Sequence, residues 1–594
     1  MKRLVVLFAL ALLVPAGASA AATSSFPLGK RQVTALFELR HPRGLNRFVR
    51  SVSDPRSPDY RQYATVEQLV ARYGAKPQTR AKVLHWLARR GLRGKPTADG
   101  AFLLVRLPSA GAARWMPRAA SATPGTLAAR IGRRVPLALR GDVTRISLLP
   151  GQQAEPKPGP AAGPLPSAAA KKPKLPYFSI KEHSGTAGGC AAGSSGGIGP
   201  PFEPFTPNQY LTAYGYNAMH ARGFQGQGET VAIVEGGAFK RSDVETFTRC
   251  FGSKAPPIAV VPLVSRKRLK PEDEPTLDVS MVAIGAPKLD RIVAYEGSET
   301  FEGLIETAGA ALGSPGHRPD VISISYGFCE PYVSGGLSLR DAIDNVFAVA
   351  GGAGISVLAS AGDQGSSGCR TFSSEGEETA LATLAVQLPS SSAYATGVGG
   401  TNLILSKGNR IKSQIVWNDW RIQAAGGGGG ASLLYPHTPW WQRSVHRYGL
   451  GRKVPDLAAL ADIYPGYSYF CSAASCAPHA DQVFGWSSVG GTSAATPLTA
   501  AGVALTDQYL ERRGQAPLGF LNPLLYQLGA SRATRRQAFD DVTQGNNDIG
   551  WVLSPAAGGG HSLECCWARH GYDPASGWGS LRFPGFARAA GAAG

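Results

Sequence analysis

Four short apolar runs, at 230–234, 292–295, 321–325 and 355–359, are separated by stretches with helical spacing of apolar residues at 278–284, 303–312 and 339–349. A strand that is apolar on both faces must be covered on both faces, as parallel strands linked by crossover helices are. The alternation predicts an α/β domain with a doubly wound parallel sheet over residues 201–594. A hydrophobic fraction of 43% can fill such a core, and a length of 594 residues leaves room for a further domain ahead of it.

The first third differs. Residues 1–200 carry 31 Lys and Arg against 8 Asp and Glu, a net +23, whereas residues 201–594 carry 30 against 33. A nucleic-acid binder concentrates basic residues on its folded face, so a nearly neutral body argues against nucleic acid as a partner. Lys2 and Arg3 precede an apolar run at 4–14 and then Ala18-Ser19-Ala20, the pattern of a secretory signal over 1–20. No later stretch has the roughly 18–20 uninterrupted apolar residues of a membrane helix, so a secreted protein, extracellular or periplasmic, with no membrane partner is expected.

Residues 21–148, basic and free of cysteine, read as a small α+β domain with a strand at Gln32–Leu39 and helices at Val66–Tyr73 and 80–90. Residues 149–200, a mixture of Pro, Ala, Gly and Lys, read as a linker that holds the maturation site. All eight cysteines lie beyond residue 189, and an even number in an exported chain points to disulfides.

Two motifs carry candidate chemistry. Gly490-Gly491-Thr492-Ser493-Ala494-Ala495-Thr496-Pro497 precedes small apolar residues, so a tight turn would present Ser493 at the start of a closely packed helix. That is how a nucleophile is displayed, and a capped glycine turn is the plainer alternative. Glu274-Pro275-Thr276-Leu277-Asp278 places two carboxyls on one face of a helix whose first turn holds Pro275. Adjacent carboxyls share a proton, so Glu274 can act as base while Asp278 orients it; a solvated acidic helix start is the alternative. None of the ten histidines stands in the H-G-T context of a subtilisin-type base.

With these motifs the chain resembles the sedolisins, the serine-carboxyl peptidases. Ser53-Asp54-Pro55-Arg56-Ser57-Pro58-Asp59-Tyr60, Tyr63-Ala64-Thr65 and Leu84-His85-Trp86-Leu87 look like the family's activation domain, of the pro-kumamolisin type. Tyr214-Gly215-Tyr216, the run at 231–235, Ser323-Ile324-Ser325-Tyr326-Gly327, Ser360-Ala361-Gly362-Asp363-Gln364-Gly365 and Val398-Gly399-Gly400-Thr401 resemble the catalytic body. The resemblance implies a subtilisin-like doubly wound parallel sheet behind a small α+β prodomain. It implies Ser493 as nucleophile, Glu274 as base, Asp278 as its partner, and Asp363 as an oxyanion-hole acid that donates only when protonated, a design for acid conditions. Glu235 matches a glutamate that extends the hydrogen-bond chain behind the base, and Tyr326 stands where a tryptophan completes that chain. One structural Ca²⁺ is implied on the carboxylates of Asp541 and Asp573 and the carbonyls of Val542, Arg569 and Gly571. Cys369 is implied to pair with Cys565 or Cys566, and Cys471 and Cys476 could close a short loop.

The sequence thus describes an exported, monomeric zymogen of an acid-active endopeptidase, with protein or peptide substrates and its own prosegment as intramolecular inhibitor. Its rivals are a catalytically silent binding scaffold and a Ser-His hydrolase. A G-x-S-x-G match at 193–197 falls in the linker, and a dinucleotide-loop match at 223–228 precedes its strand instead of following it, so both are set aside.

Overall fold

The computed structural model describes residues 32–108, 135–149, 179, 181–196, 203–264, 269–313, 318–333, 337–372, 378–380, 382–420, 424–476, 485–552 and 560–593. The expected signal at 1–20 and residues 150–178 of the expected linker lie outside the described residues.

The N-terminal region contains β1 (Gln32–Leu39), α1 (Leu45–Ser53), α2 (Val66–Tyr73), α3 (Pro77–Ala88), β2 (Gly94–Pro96), β3 (Phe102–Pro108) and β4 (Val143–Leu148). The strands form an antiparallel sheet in the order β2-β3-β1-β4. Alternation along β1 and β3 serves two cores. Ala35, Phe37, Leu103 and Val105 pack with Val83, Trp86 and Leu87 of α3, whereas Leu36, Phe102 and Leu104 join α1 and α2 in the core shared with the C-terminal body. The helix expected from residue 80 begins at Pro77, because a proline at the first helical position forfeits no helical hydrogen bond.

The body is built from β5 (Thr230–Glu235), β6 (Ile258–Pro262), α4 (Asp273–Gly285), β7 (Arg291–Glu296), α5 (Phe301–Gly313), β8 (Val321–Ile324), α6 (Leu337–Gly352), β9 (Ser356–Ser360), β10 (Thr396–Leu405), β11 (Ile411–Val416), β12 (Leu457–Leu460) and α7 (Thr492–Glu511). The sheet runs β11-β10-β9-β8-β5-β7-β6, with β12 also paired to β10, and only the β10–β11 pairing is antiparallel. The strand β10 escapes an apolar-run criterion because close packing demands glycine in it. A side chain on Gly400 would meet Ala461 and Trp417 at 2.8 Å. Helices α4 and α7 approach one another through small residues, and a Cβ on Gly285 would lie 2.7 Å from that of Ala501.

The N-terminal region sits on α5 and α6. Lys95 Nζ lies 2.9 Å from Glu306, Arg106 is 3.1 Å from Glu302, and Arg145 pairs with both Glu38 and Asp341. Tyr63 adds a hydroxyl bond to Leu518 O at 2.8 Å. The basic excess of the N-terminal third therefore meets carboxylates of the body.

Four disulfides occur among the described residues: Cys190–Cys250, Cys329–Cys369, Cys471–Cys476 and Cys565–Cys566. The short 471–476 loop forms as expected. The pairing of Cys369 with Cys565 or Cys566 does not: Cys329 enters the same small apolar cluster as Cys369, with their Cα atoms 5.0 Å apart, and Cys565 and Cys566 bond to each other. Ser179 and residues 181–196, which the composition assigns to the linker, pack on the body. Ser179 Oγ bonds Asp462 at 2.9 Å, and Cys190 is tied to Cys250. Among the described residues no helix is long and apolar enough to cross a membrane.

Candidate active site

The carboxyl ends of parallel strands are where ligands bind in open α/β sheets. Here β5 ends in Glu235, β8 leads into Ser325 and Tyr326, and β9 leads through Ala361 and Gly362 to Asp363. The first turns of α4 and α7 add Glu274 and Ser493.

Ser493 is the second residue of α7, preceded by Gly491 at φ +96°. A side chain on Gly491 would lie 2.8 Å from Asp363 Oδ2, so this glycine provides the close approach that its sequence context suggests. Thr492 locks the turn: its N–H and hydroxyl each donate to Asp363 Oδ1 at 2.8 Å, and the hydroxyl accepts from the Gly362 N–H at 3.1 Å. Pro497 has no N–H, which deprives the Ser493 carbonyl of its partner one turn on. The Ser325 hydroxyl donates to that carbonyl at 3.3 Å, and Ser493 Oγ in turn donates to the Ser325 carbonyl at 3.3 Å. Ser325 is the site residue that sequence reasoning passed over; its signal was a polar residue directly after a wholly buried strand.

Helix α4 is capped at Glu272, and Pro275 lies in its first turn. Glu274 and Asp278 share a face, as i, i+4 spacing requires, and Asp278 is fully buried. Glu274 Oε1, both Asp278 oxygens and Glu235 Oε1 are buried without a hydrogen-bond partner. Burial is thus the main influence on all three acids. It pushes Asp278 up to about 8, opposed by the nearby Ser325 hydroxyl and Glu235. It holds Glu274 well above the usual carboxylate range, reinforced by the charge of Asp278 and opposed by the Ser493 hydroxyl that it faces. Glu235 is raised in the same way, by burial and then by the charges of Asp278 and Glu274. The three acids thus titrate as a coupled group, with Glu274 the member that faces Ser493.

Tyr326 lies beside Glu299 and Glu235, but its hydroxyl is buried with no hydrogen-bond partner, so the expected phenol link behind Glu235 is not made. Glu272, pushed up to about 7 by burial and by the charges of Glu299 and Asp273, extends the acidic rim. Among the described residues no histidine forms a hydrogen bond or ion pair with Ser493, Glu274 or Asp363. His220 and His183, for example, are engaged with Gly285 O and Gln209.

The candidate calcium ligands also come together. Asp541 Oδ2 accepts the Gly571 N–H at 2.9 Å, and Asp573 Oδ2 accepts the Arg569 N–H at 2.8 Å. Among the described residues the carbonyls of Val542, Arg569 and Gly571 accept no hydrogen bond, which leaves three neutral oxygens beside two carboxylates. An all-oxygen set of mixed charge fits Ca²⁺. No group of three or more His, Cys, Asp or Glu suited to a metal occurs among the described residues.

Fold and site together define a subtilase-like α/β domain joined to an activation prosegment. Residues 30–119 match the family described as Pro-kumamolisin, activation domain, and residues 283–517 match the Subtilase family. Kumamolisin of Bacillus sp. (strain MN-32) is 32% identical over 389 residues, covering 63% of this chain and 62% of that protein. The match thus spans less than two thirds of kumamolisin's length. Tripeptidyl-peptidase 1 of Mus musculus is 25% identical over 590 residues, or 94% of this chain and 91% of the relative. Pseudomonas sedolisin (serine-carboxyl proteinase) superposes with a TM-score of 0.51 at 23% identity, over 65% of this chain and 97% of its own, a likeness of fold. The chain thus carries a match to the pro-kumamolisin activation domain ahead of a match to the Subtilase family, and is similar to kumamolisin over part of its length.

Proposed function

We propose that the protein is an exported zymogen of an acid-active serine-carboxyl endopeptidase. The observation that carries this reading is the meeting of Ser493, the buried acids headed by Glu274, and Asp363 at the carboxyl end of one parallel sheet, with no histidine among the described residues joined to them. In the proposed reaction Ser493 Oγ attacks the scissile carbonyl carbon and its proton passes to the ionised form of Glu274, which the neighbouring acids Asp278 and Glu235 make more basic. The oxyanion accepts a hydrogen bond from protonated Asp363, whose other oxygen is fixed by Thr492. Glu274 returns the proton to the departing amine, and water releases the acyl group by the reverse sequence. Incubating the precursor at about pH 4 with a quenched peptide library tests this reading: it requires turnover that follows loss of the prosegment, and an inert processed protein would favour the silent scaffold.

The prosegment acts in this account as an intramolecular inhibitor with a charge latch. The ion pairs of Lys95, Arg106 and Arg145 with Glu306, Glu302 and Asp341 form that latch. Partly exposed pairs contribute about 0.2–1 kcal/mol each. The double change Glu302→Gln and Glu306→Gln is expected to speed prosegment cleavage several-fold near pH 5 on a gel time course. A rate equal to the parent's would show that these pairs do not restrain release.

Calcium belongs to the same proposal: when bound, the ion would brace the 541–542 and 569–573 loops. Treatment with a calcium chelator is expected to lower the melting temperature by about 5–10 °C, as for loss of a ligand present at about 100 times its Kd, and added Ca²⁺ restores it. An unchanged melting temperature would remove the ion from the account.

A further inference from the structure

The body is nearly neutral, with 30 Lys and Arg against 33 Asp and Glu, yet four of its arginines converge on one open pocket of about 480 Å³. Arg410 enters from just before β11, Arg536 from the helix Arg532–Ala538, Arg582 from the N-cap of the C-terminal helix Phe583–Ala592 and Arg588 from the middle of that helix. The only carboxylate in the lining is Asp540, and Arg582 already engages it through two nitrogens. Among the described residues the guanidiniums of Arg410, Arg536 and Arg588 make no hydrogen bond and no ion pair. Three solvent-exposed guanidiniums thus line one hollow without a partner among the described residues. None of the residues assigned to peptide hydrolysis lines this pocket.

We infer that the pocket binds a compact phosphate-type oxyanion carrying two or more negative charges. Planar guanidinium groups present paired N–H donors that match the oxygen edges of such anions, and the side-chain amide of Gln537 adds a neutral donor to the same lining. The volume lies within the usual range of small-molecule sites, about 300–1,000 Å³. Arginine keeps its charge throughout the acid range, so the site persists under the conditions in which the peptidase is proposed to work.

The test uses the full chain carrying Ser493→Ala, so that it cannot digest itself, titrated calorimetrically with pyrophosphate near pH 6. Inorganic phosphate, sulfate and sodium chloride at matched ionic strength are run in parallel. The inference expects saturable binding of one pyrophosphate, weaker binding of phosphate and sulfate, and none of chloride. The pair Arg410→Gln and Arg588→Gln is expected to weaken pyrophosphate binding by roughly tenfold or more for each guanidinium removed, with thermal unfolding unchanged. Absence of saturable binding would overturn the inference. So would binding retained in the double variant, or a response that all four salts share at equal ionic strength.

Discussion

Replacing Ser493 by alanine is expected to leave a folded precursor that neither sheds its prosegment nor turns over peptide. The loss should be about 10⁶-fold in kcat, the scale on which deleting the nucleophile of a serine peptidase acts. The physical ground is narrow. Among the described residues the only hydrogen bond that Ser493 Oγ donates is a 3.3 Å contact to the Ser325 carbonyl, so its removal sacrifices little stability. The turn itself is held by Thr492, Gly491 and Asp363, which the substitution leaves alone. Gel analysis of acid-incubated precursor, with unfolding followed in parallel, reads both halves of the expectation. Residual self-processing at the parent rate would mean that another residue attacks.

Glu274→Gln should have the next largest effect, a fall of about 10²–10⁴ in kcat/KM, because an amide of the same shape cannot take the serine proton. Stability should move the other way at high pH. Glu274 is held above its ordinary value in the folded chain, mainly by burial, so the folded state binds more protons than the unfolded one between those values. Its neutral form is fully compatible with the fold below the ordinary carboxylate range, and stability drains away as pH rises toward the folded value. Asp278, pushed up to about 8, follows the same sign. The glutamine variant cannot ionise there, so its melting temperature near pH 8 should equal or exceed the parent's while the two agree near pH 4. A variant that is both inactive and less stable at pH 8 would show Glu274 to be structural.

The sheet was legible wherever burial on both faces wrote a continuous apolar run, as in β5, β7, β8 and β9. It was illegible in β10, where contact with Ala461 and Trp417 replaces side chains by glycine. Ser493, Glu274 and Asp278 could be proposed from their own spacing, because a glycine turn before a helix and an i, i+4 carboxyl pair are local geometry. Asp363 could not: a turn aspartate becomes interesting only once the fold carries it to Gly491 and Thr492, 129 residues on. Ser325 was missed for the same reason, since both of its contacts with Ser493 span 168 residues of chain. Disulfide partners were the least legible, because the pairing of Cys329 with Cys369 is set by the packing of two loops and leaves no mark in the spacing of the cysteines.

The central claim is that a carboxyl group takes the serine proton where a histidine would do so in other serine peptidases. The pH dependence of kcat/KM for the processed enzyme, measured from about pH 3 to 9 on one quenched peptide, addresses it most directly. Activity confined to acid and falling away before neutrality is the predicted result. A rate that instead rises through about pH 6.5 to a plateau near neutrality, the behaviour of an imidazole base, would contradict it.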